Sequence, residues 1–178
     1  MSRIPLADAN DLPPFLKQMH DGAKAQDWST RHCARAFASY PELLEKYLTF
    51  YYPLHSNTDC GVIEPRLKEL VRLRIATLNG CVTCKSARLD SEHVTEEEAA
   101  HGVDAQGCEA FSPRERAALD FAELMALDHH SFSDETMRDL RAQFSEIELL
   151  ELMMMTGQYI GFGRMLAMLQ LEETSCPI

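Results

Sequence analysis

Basic residues are in short supply: 17 Lys and Arg stand against 28 Asp and Glu, a formal net charge of −11. Nucleic acid and anionic membrane surfaces both require a basic patch, so neither is an expected partner. Long apolar runs are also missing. Towards the C-terminus the longest uncharged stretch, Leu152 to Gly163, has 12 residues, too short to span a bilayer. The opening MSRIPLADANDLPP has no apolar segment of signal-peptide length and no small-residue cleavage site, so a cytoplasmic location is expected. Alternation of period two never persists for more than a few residues, which removes sheet-based folds and leaves an all-α class. The rest of the composition is ordinary, with 46% hydrophobic and 25% charged residues, and argues against disorder. A chain of 178 residues suits one all-helical domain, 1–178, able to bury a core without disulfide staples.

Cysteine, by contrast, is not scarce: Cys33, Cys60, Cys81, Cys84, Cys108 and Cys176. In a reducing compartment these are not a disulfide framework, and a close pair points to catalysis or metal binding. That pair lies in ELVRLRIATLNGCVTCKSAR, residues 69–88. Cys-x-x-Cys is the smallest spacing at which two thiols on one turn can join and part. Glu64-Pro65 opens a helix in which Leu67, Leu70, Val71, Arg74 and Leu78 recur at three- and four-residue intervals, and Asn79-Gly80 ends it. A second helix from Cys81 to about Glu92 would hold both thiols in its first turn. At about 100° per residue, Cys81, Cys84 and Arg88 would then share a face. The helix N-terminus and the guanidinium would both stabilise a thiolate. In such motifs the more exposed thiolate attacks and the other resolves; the residues themselves leave open which is which. Half of a zinc site would need two more ligands, and His93 and His101 fit no common spacing. An inert core pair is the plain packing alternative, and a thioredoxin-like fold would need strands. A redox dithiol on a helical scaffold, with no metal and no cofactor, is the reading that results.

Around this segment the pattern predicts helices. A short one is expected from about Phe15 to Ala25. The next, capped by Ser29 or Thr30, carries Cys33, Ala36 and Phe37, and Leu43, Leu44, Tyr47, Leu48 and Tyr51 follow on a helix opened at Pro41. His55 to Gly61 reads as a loop. Capping boxes at Thr95/Glu98, Ser112/Glu115 and Ser145/Glu148 open three more helices, the first ending near His101-Gly102 and the last running from Glu146 to about Leu171. His129 and His130 fall at a helix end, and Asp134 to Phe144 follows Ser133. The last helix has two apolar stripes, one of Leu149, Leu152, Met153, Thr156 and Ile160, the other of Leu150, Met154, Gly157, Gly161, Met165 and Met168. A helix apolar nearly all round is either central or shared with a neighbouring subunit. Gly157, Gly161 and Gly163 are consistent with close helix contact, and a homo-oligomer is expected.

YPELLEKYLTFYYPL, then ELVRLRIATLNGCVTCKSAR and the capped helices after it, resemble the carboxymuconolactone decarboxylase-like family in its alkylhydroperoxidase D-like, peroxidase-related branch, over roughly residues 40–171. The most specific feature is a glutamate twelve residues before the first cysteine, matched by Glu69 and Cys81. The resemblance implies a helical bundle assembled as trimers or hexamers, and reduction of small hydroperoxides by the cysteine pair without metal or haem. It also implies re-reduction by a dithiol, in some members a lipoyl-bearing protein. Carried over by position, Cys84 is peroxidatic, Cys81 resolving and Glu69 part of a proton relay. The family motif, Glu-x11-Cys-x-His-Cys-x3-His, is broken at both histidines: Thr83 and Arg88 stand in their places. Arginine can stabilise a thiolate but cannot act as a general base. Glu69 could pair with Arg88, Arg72 or Arg66. Thr83 and Arg164 are the remaining pocket candidates, Arg164 lining the pocket or pairing with an acid at an interface. His93, His101, His129 and His130 are the histidines left to replace the relay. The alternatives are a thiol-disulfide oxidoreductase or redox sensor without peroxidase activity, a lactone enzyme of the decarboxylase branch, whose members typically lack the cysteine pair, and a non-catalytic oligomeric scaffold.

Overall fold

The computed structural model describes residues 2–23, 27–58, 60–81, 84–85, 88–89, 92–100 and 111–171. Thr83, His101, Cys108 and Cys176, the helix end at His101-Gly102 and much of the expected helix after Cys84 lie outside them. The described residues are all helical or irregular, with eight α-helices: α1 (Pro14–Gly22), α2 (Trp28–Ala36), α3 (Pro41–Ser56), α4 (Pro65–Leu78), α5 (Glu96–Ala100), α6 (Pro113–Leu127), α7 (Asp134–Arg141) and α8 (Glu146–Met168).

Their ends follow local chemistry. Ser112 and Ser145 each close a full capping box with the glutamate three residues on. Ser133 caps α7 through the amide of Thr136. The cap of α2 is Asp27, whose carboxylate accepts from the Thr30 amide, rather than Ser29 or Thr30; an aspartate there also favours the helix dipole. Helix α4 ends at Asn79, and Gly80 takes the left-handed turn at φ 66°.

Two further expectations fail. Residues 55 and 56 are helical, because α3 runs through Pro53 to a left-handed cap at Asn57. After Cys84 and Lys85, which are helical, Arg88 and Leu89 are not, and residues 92–94 form a turn. Arg88 is therefore not placed by helical periodicity on the face of the two cysteines.

Packing centres on α4. From Leu67 to Leu73 every residue is buried, as are Ile75 and Ala76. One side of α4 meets α6 and α8 through Leu67, Val71 and Ile75, which join Phe121, Ala122, Leu152 and Met155. The other side uses Leu70 and Leu73 against Val94, Ala99, Phe111 and Leu119. A separate cluster ties α1, α2 and α3 to the C-terminal half of α8 through Leu16, Cys33, Leu44 and Leu166. Burial this complete forces the charges on α4 to find partners. Lys68, fully buried, meets the Leu54 carbonyl, Asn57 and Glu151. Gly61 packs against this knot at φ 120°, where a Cβ would run into Asn57 Oδ1.

Helix α8 is enclosed on one side only. Leu149, Leu152 and Thr156 are buried, whereas Leu150, Met154, Gly161 and Met168 are exposed. Gly163 approaches the rest of the chain closely, with Asn79 Nδ2 2.7 Å from where a Cβ would stand; a Cβ at Gly161 would meet nothing within 4 Å beyond its own helix backbone. Among the described residues no helix is long and apolar enough to cross a membrane.

Candidate active site

Cys81 and Cys84 are joined as a disulfide, their Cα atoms 5.2 Å apart. Spacing makes this local. The Cys81 amide donates to the Ala76 carbonyl at 2.9 Å, which turns the chain off the end of α4. The Cys81 carbonyl then accepts from the Lys85 amide at 3.1 Å, and its sulfur accepts from the Cys84 amide at 3.0 Å. Cys81 thus occupies the capping position of the turn that carries Cys84. It is fully buried, and Cys84 is partly exposed.

Glu69 lies beneath the pair with no solvent exposure. Arg72, one turn along α4, grips it with two hydrogen bonds, Nε to Oε2 at 2.7 Å and Nη2 to Oε1 at 2.8 Å. This is the bidentate geometry in which an arginine–carboxylate pair is strongest. The third nitrogen of the same guanidinium, Nη1, donates to the Cys84 carbonyl at 2.6 Å. Arg88 reaches Glu69 more loosely at 3.4 Å and divides its other donors between Glu96 and the Val94 carbonyl. The Leu89 amide adds a contact to Glu69 at 3.3 Å. Of the three arginines considered for Glu69, two meet it, while Arg66 turns to Glu98 and Glu115. Burial on its own would push the Glu69 carboxyl up; the hydrogen bonds and charge of Arg72, with His55 and Arg88, outweigh it and hold the group below the usual carboxylate range.

The histidine here is His55, which lies in the stretch 55–61 whose sequence reads as a loop. Helix α3 carries it, buried, to the far side of Glu69, its Nε2 3.7 Å from Oε2. Its Nδ1 lies 2.7 Å from the hydroxyl of Tyr159 on α8. Tyr51, one turn before it, stacks on its ring. Glu69 facing Nε2 favours the tautomer with a proton there, so Nδ1 accepts from the Tyr159 hydroxyl. The apolar periodicity of α3 was the available signal: Leu44, Tyr47, Leu48 and Tyr51 continue to Leu54 and His55 at the same intervals.

Cys84, Arg72 and Tyr159 line a cavity of about 150 Å³ whose walls come also from α1, α2, α3, α4 and α8 and which is open on one side. Most of its wall is aromatic or aliphatic, including Tyr47, Tyr52, Phe162 and Leu166. The other site residues named from sequence lie elsewhere. Arg164 is exposed and does not line the cavity; it donates to Asn79 Oδ1 at 3.1 Å and to the Ala126 carbonyl at 2.8 Å, holding Asn79, a wall residue, from outside. His129 and His130 form an exposed turn after α6, and His93 lies in the exposed turn before α5.

Residues 41–124, which include Glu69, Cys81 and Cys84, match the carboxymuconolactone decarboxylase family. The uncharacterized protein YdfG of Bacillus subtilis (strain 168) is 25% identical over 130 residues, 71% of this chain and 88% of that protein. Two solved structures share the fold along nearly the whole chain. One is an alkylhydroperoxidase AhpD core, a peroxidase-related protein from Ralstonia eutropha JMP134, with a TM-score of 0.72 and 18% identity over 98% of this chain and 93% of that one. The other is a peroxidase-related protein from Silicibacter sp. TM1040, with a TM-score of 0.74 and 18% identity over 97% and 91%. Over residues 41–124, which hold the cysteine pair and the glutamate twelve residues before it, the chain is similar to the carboxymuconolactone decarboxylase family, and along nearly its whole length it shares the helical fold of these two peroxidase-related proteins.

Proposed function

We propose that the protein is a cysteine-dependent peroxidase that reduces hydroperoxides with the Cys81–Cys84 pair. One observation carries the reading: the partly exposed Cys84 opens onto a cavity, while its disulfide partner is buried behind it and a Glu69–His55–Tyr159 chain ends on the same cavity wall.

In the reduced protein Cys84, as thiolate, attacks the outer oxygen of the hydroperoxide. The S–O bond forms, the O–O bond breaks and the alkoxide leaves as an alcohol. The thiol proton passes through Tyr159 to His55 and returns to the alkoxide by the same route. Glu69, held ionised, orients His55 and offsets the charge it gains. Cys81 then attacks the sulfenic sulfur of Cys84, water departs with the Cys81 proton, and the disulfide results. Two electrons from a dithiol reductant, of which a lipoyl-bearing protein is one type, close the cycle. Arg72 supplies positive charge beside Cys84, the role first assigned to Arg88, and Arg88 contributes through Glu69. On this reading His55 replaces the two motif histidines whose places Thr83 and Arg88 occupy.

Stopped-flow oxidation of the reduced protein by hydrogen peroxide and cumene hydroperoxide tests this. Cys84→Ser should fall to background and His55→Gln should slow the reaction by about 100-fold, the lower end for a lost acid–base group. Equal background rates in wild type and Cys84→Ser would sink peroxidase activity. A thiol-disulfide oxidoreductase is the second reading, favoured by the arginine at a motif histidine. It predicts exchange with a small disulfide at rates that His55→Gln leaves unchanged.

The exposed stripe of α8 supports self-association, in a trimer or hexamer, with Leu150, Met154 and Met168 at the contact. Light scattering at micromolar concentration that returned only monomer would remove the idea.

A further inference from the structure

The cavity holds more polar groups than the peroxide chemistry uses. Ser29 Oγ, Tyr47 Oη and both amide atoms of Gln158 are buried without a hydrogen-bond partner among the described residues, and all three residues line the cavity. Ser29 is 3% exposed. Buried polar groups in folded proteins are nearly always paired, so several orphans on one cavity wall mark the position of a ligand's own polar group. They come from α2, α3 and α8, whereas Cys84 and Arg72 belong to α4 and the turn beyond it. Burial raises the Tyr47 phenol far above its ordinary value, so it offers a neutral hydroxyl. Arg72 is the one charged residue on the described wall, and Glu69 already occupies two of its nitrogens.

From this we infer that the cavity is a binding site for a neutral, ring-sized organic molecule carrying a second hydrogen-bonding group, a hydroxyl or carbonyl, apart from the end that meets Cys84. The inference deepens the peroxidase reading and rests on it for the reacting end: the substrate is a hydroxylated or carbonyl-bearing organic hydroperoxide. A volume of about 150 Å³ suits one ring; an apolar cavity of that size takes up benzene. The amide of Gln158 both donates and accepts, as do the two hydroxyls, so the trio can satisfy a hydroxyl or a carbonyl, while a carboxylate would enter with no free cation to meet it. Most of the recognition comes from outside residues 41–124, through Ser29 and Gln158, so it belongs to this chain's helices rather than to the matched core.

Binding is measured by protein-observed NMR titration of the oxidised protein with two product-like alcohols, benzyl alcohol and 4-hydroxybenzyl alcohol. The second differs only by the remote hydroxyl. Wild type should bind 4-hydroxybenzyl alcohol at least about tenfold more tightly, the scale of one well-made hydrogen bond. Tyr47→Phe and Gln158→Leu should each cut that advantage to less than about threefold while leaving benzyl alcohol unchanged. Equal affinities in wild type, an advantage unaltered in both variants, or no binding of either alcohol would overturn the inference. Oxidation of the reduced protein by hydrogen peroxide is followed separately. Loss of peroxidase activity with the hydroxyl preference intact rejects the redox reading alone, and intact activity without the preference rejects only the ligand class.

Discussion

Arg72 touches both halves of the site, so its substitution separates what the ion pair does for stability from what it does for reactivity. Arg72→Met would strip the two short hydrogen bonds from a carboxylate with no solvent exposure, leaving the longer contacts to His55, Arg88 and the Leu89 amide. Breaking one side of a buried pair costs about 3–5 kcal/mol, and denaturant unfolding should register a loss of that order. Arg72→Met with Glu69→Leu removes both charges and should recover most of it. Gly61 offers a purely conformational counterpart: at φ 120°, with Asn57 Oδ1 and Lys68 Nζ in the way of a Cβ, Gly61→Ala should cost about 2 kcal/mol by the same measurement. Among the described residues, the two unpaired thiols divide as well. Burial pushes Cys33 up to about 12, whereas Cys60 is exposed. Peptide mapping after brief iodoacetamide treatment at pH 7.5 should find Cys60 alkylated and Cys33 untouched; equal labelling would contradict the burial of α2.

Among the elements, the helix starts are the most readily tested. Ser145→Ala removes one arm of a complete capping box on a 23-residue helix and should lower stability by about 1 kcal/mol in thermal or denaturant melts. Such boxes are chemistry within four residues, which is why α6 and α8 could be read from Ser112/Glu115 and Ser145/Glu148 alone. The same holds for the end of α4, where Asn79-Gly80 acts on its own backbone. Reading failed where tertiary contacts overrode a local signal. His55 to Gly61 reads as a loop, yet burial of Leu54 and His55 keeps α3 helical through Ser56. Cys81 and Cys84 were apparent from spacing, and Glu69 from its interval. His55 and Tyr159 lie 104 residues apart and meet only because α3 and α8 flank α4. Pairing of that kind leaves no local trace. A sequence as apolar as that of α8 reads as either central or shared with a neighbouring subunit; its exposed Leu150, Met154 and Met168 leave it less central than α4, which carries Lys68, Glu69 and Arg72 and is buried without a break from Leu67 to Leu73. Internal charge pairing makes a polar-looking helix the core.

For the whole molecule, the surface carboxylates set the response to acid. Hydrogen bonding from Arg66 holds Glu98 at about 2, and the Ser145 amide and hydroxyl with Arg114 hold Glu148 at about 2, both below the ordinary 4.5. A folded value below the unfolded one means that the ionised form favours the fold. That stabilisation is complete above about pH 4.5 and is lost as pH falls towards 2; Glu69 contributes with the same sign. Melting temperature by circular dichroism should therefore be lower at pH 3 than at pH 5, and Glu148→Gln should narrow the difference. The Arg164–Asn79 hydrogen bond acts on this same scale. It crosses from the open stripe of α8 to the inner wall of the cavity, so the outside and inside of the protein share one side-chain contact. A second copy seated on that stripe would clamp Arg164, and with it Asn79. Subunit association and ligand uptake would then be thermodynamically linked, each strengthening the other by the same factor. Diluting such an assembly would weaken its grip on substrate although no residue of the cavity had changed.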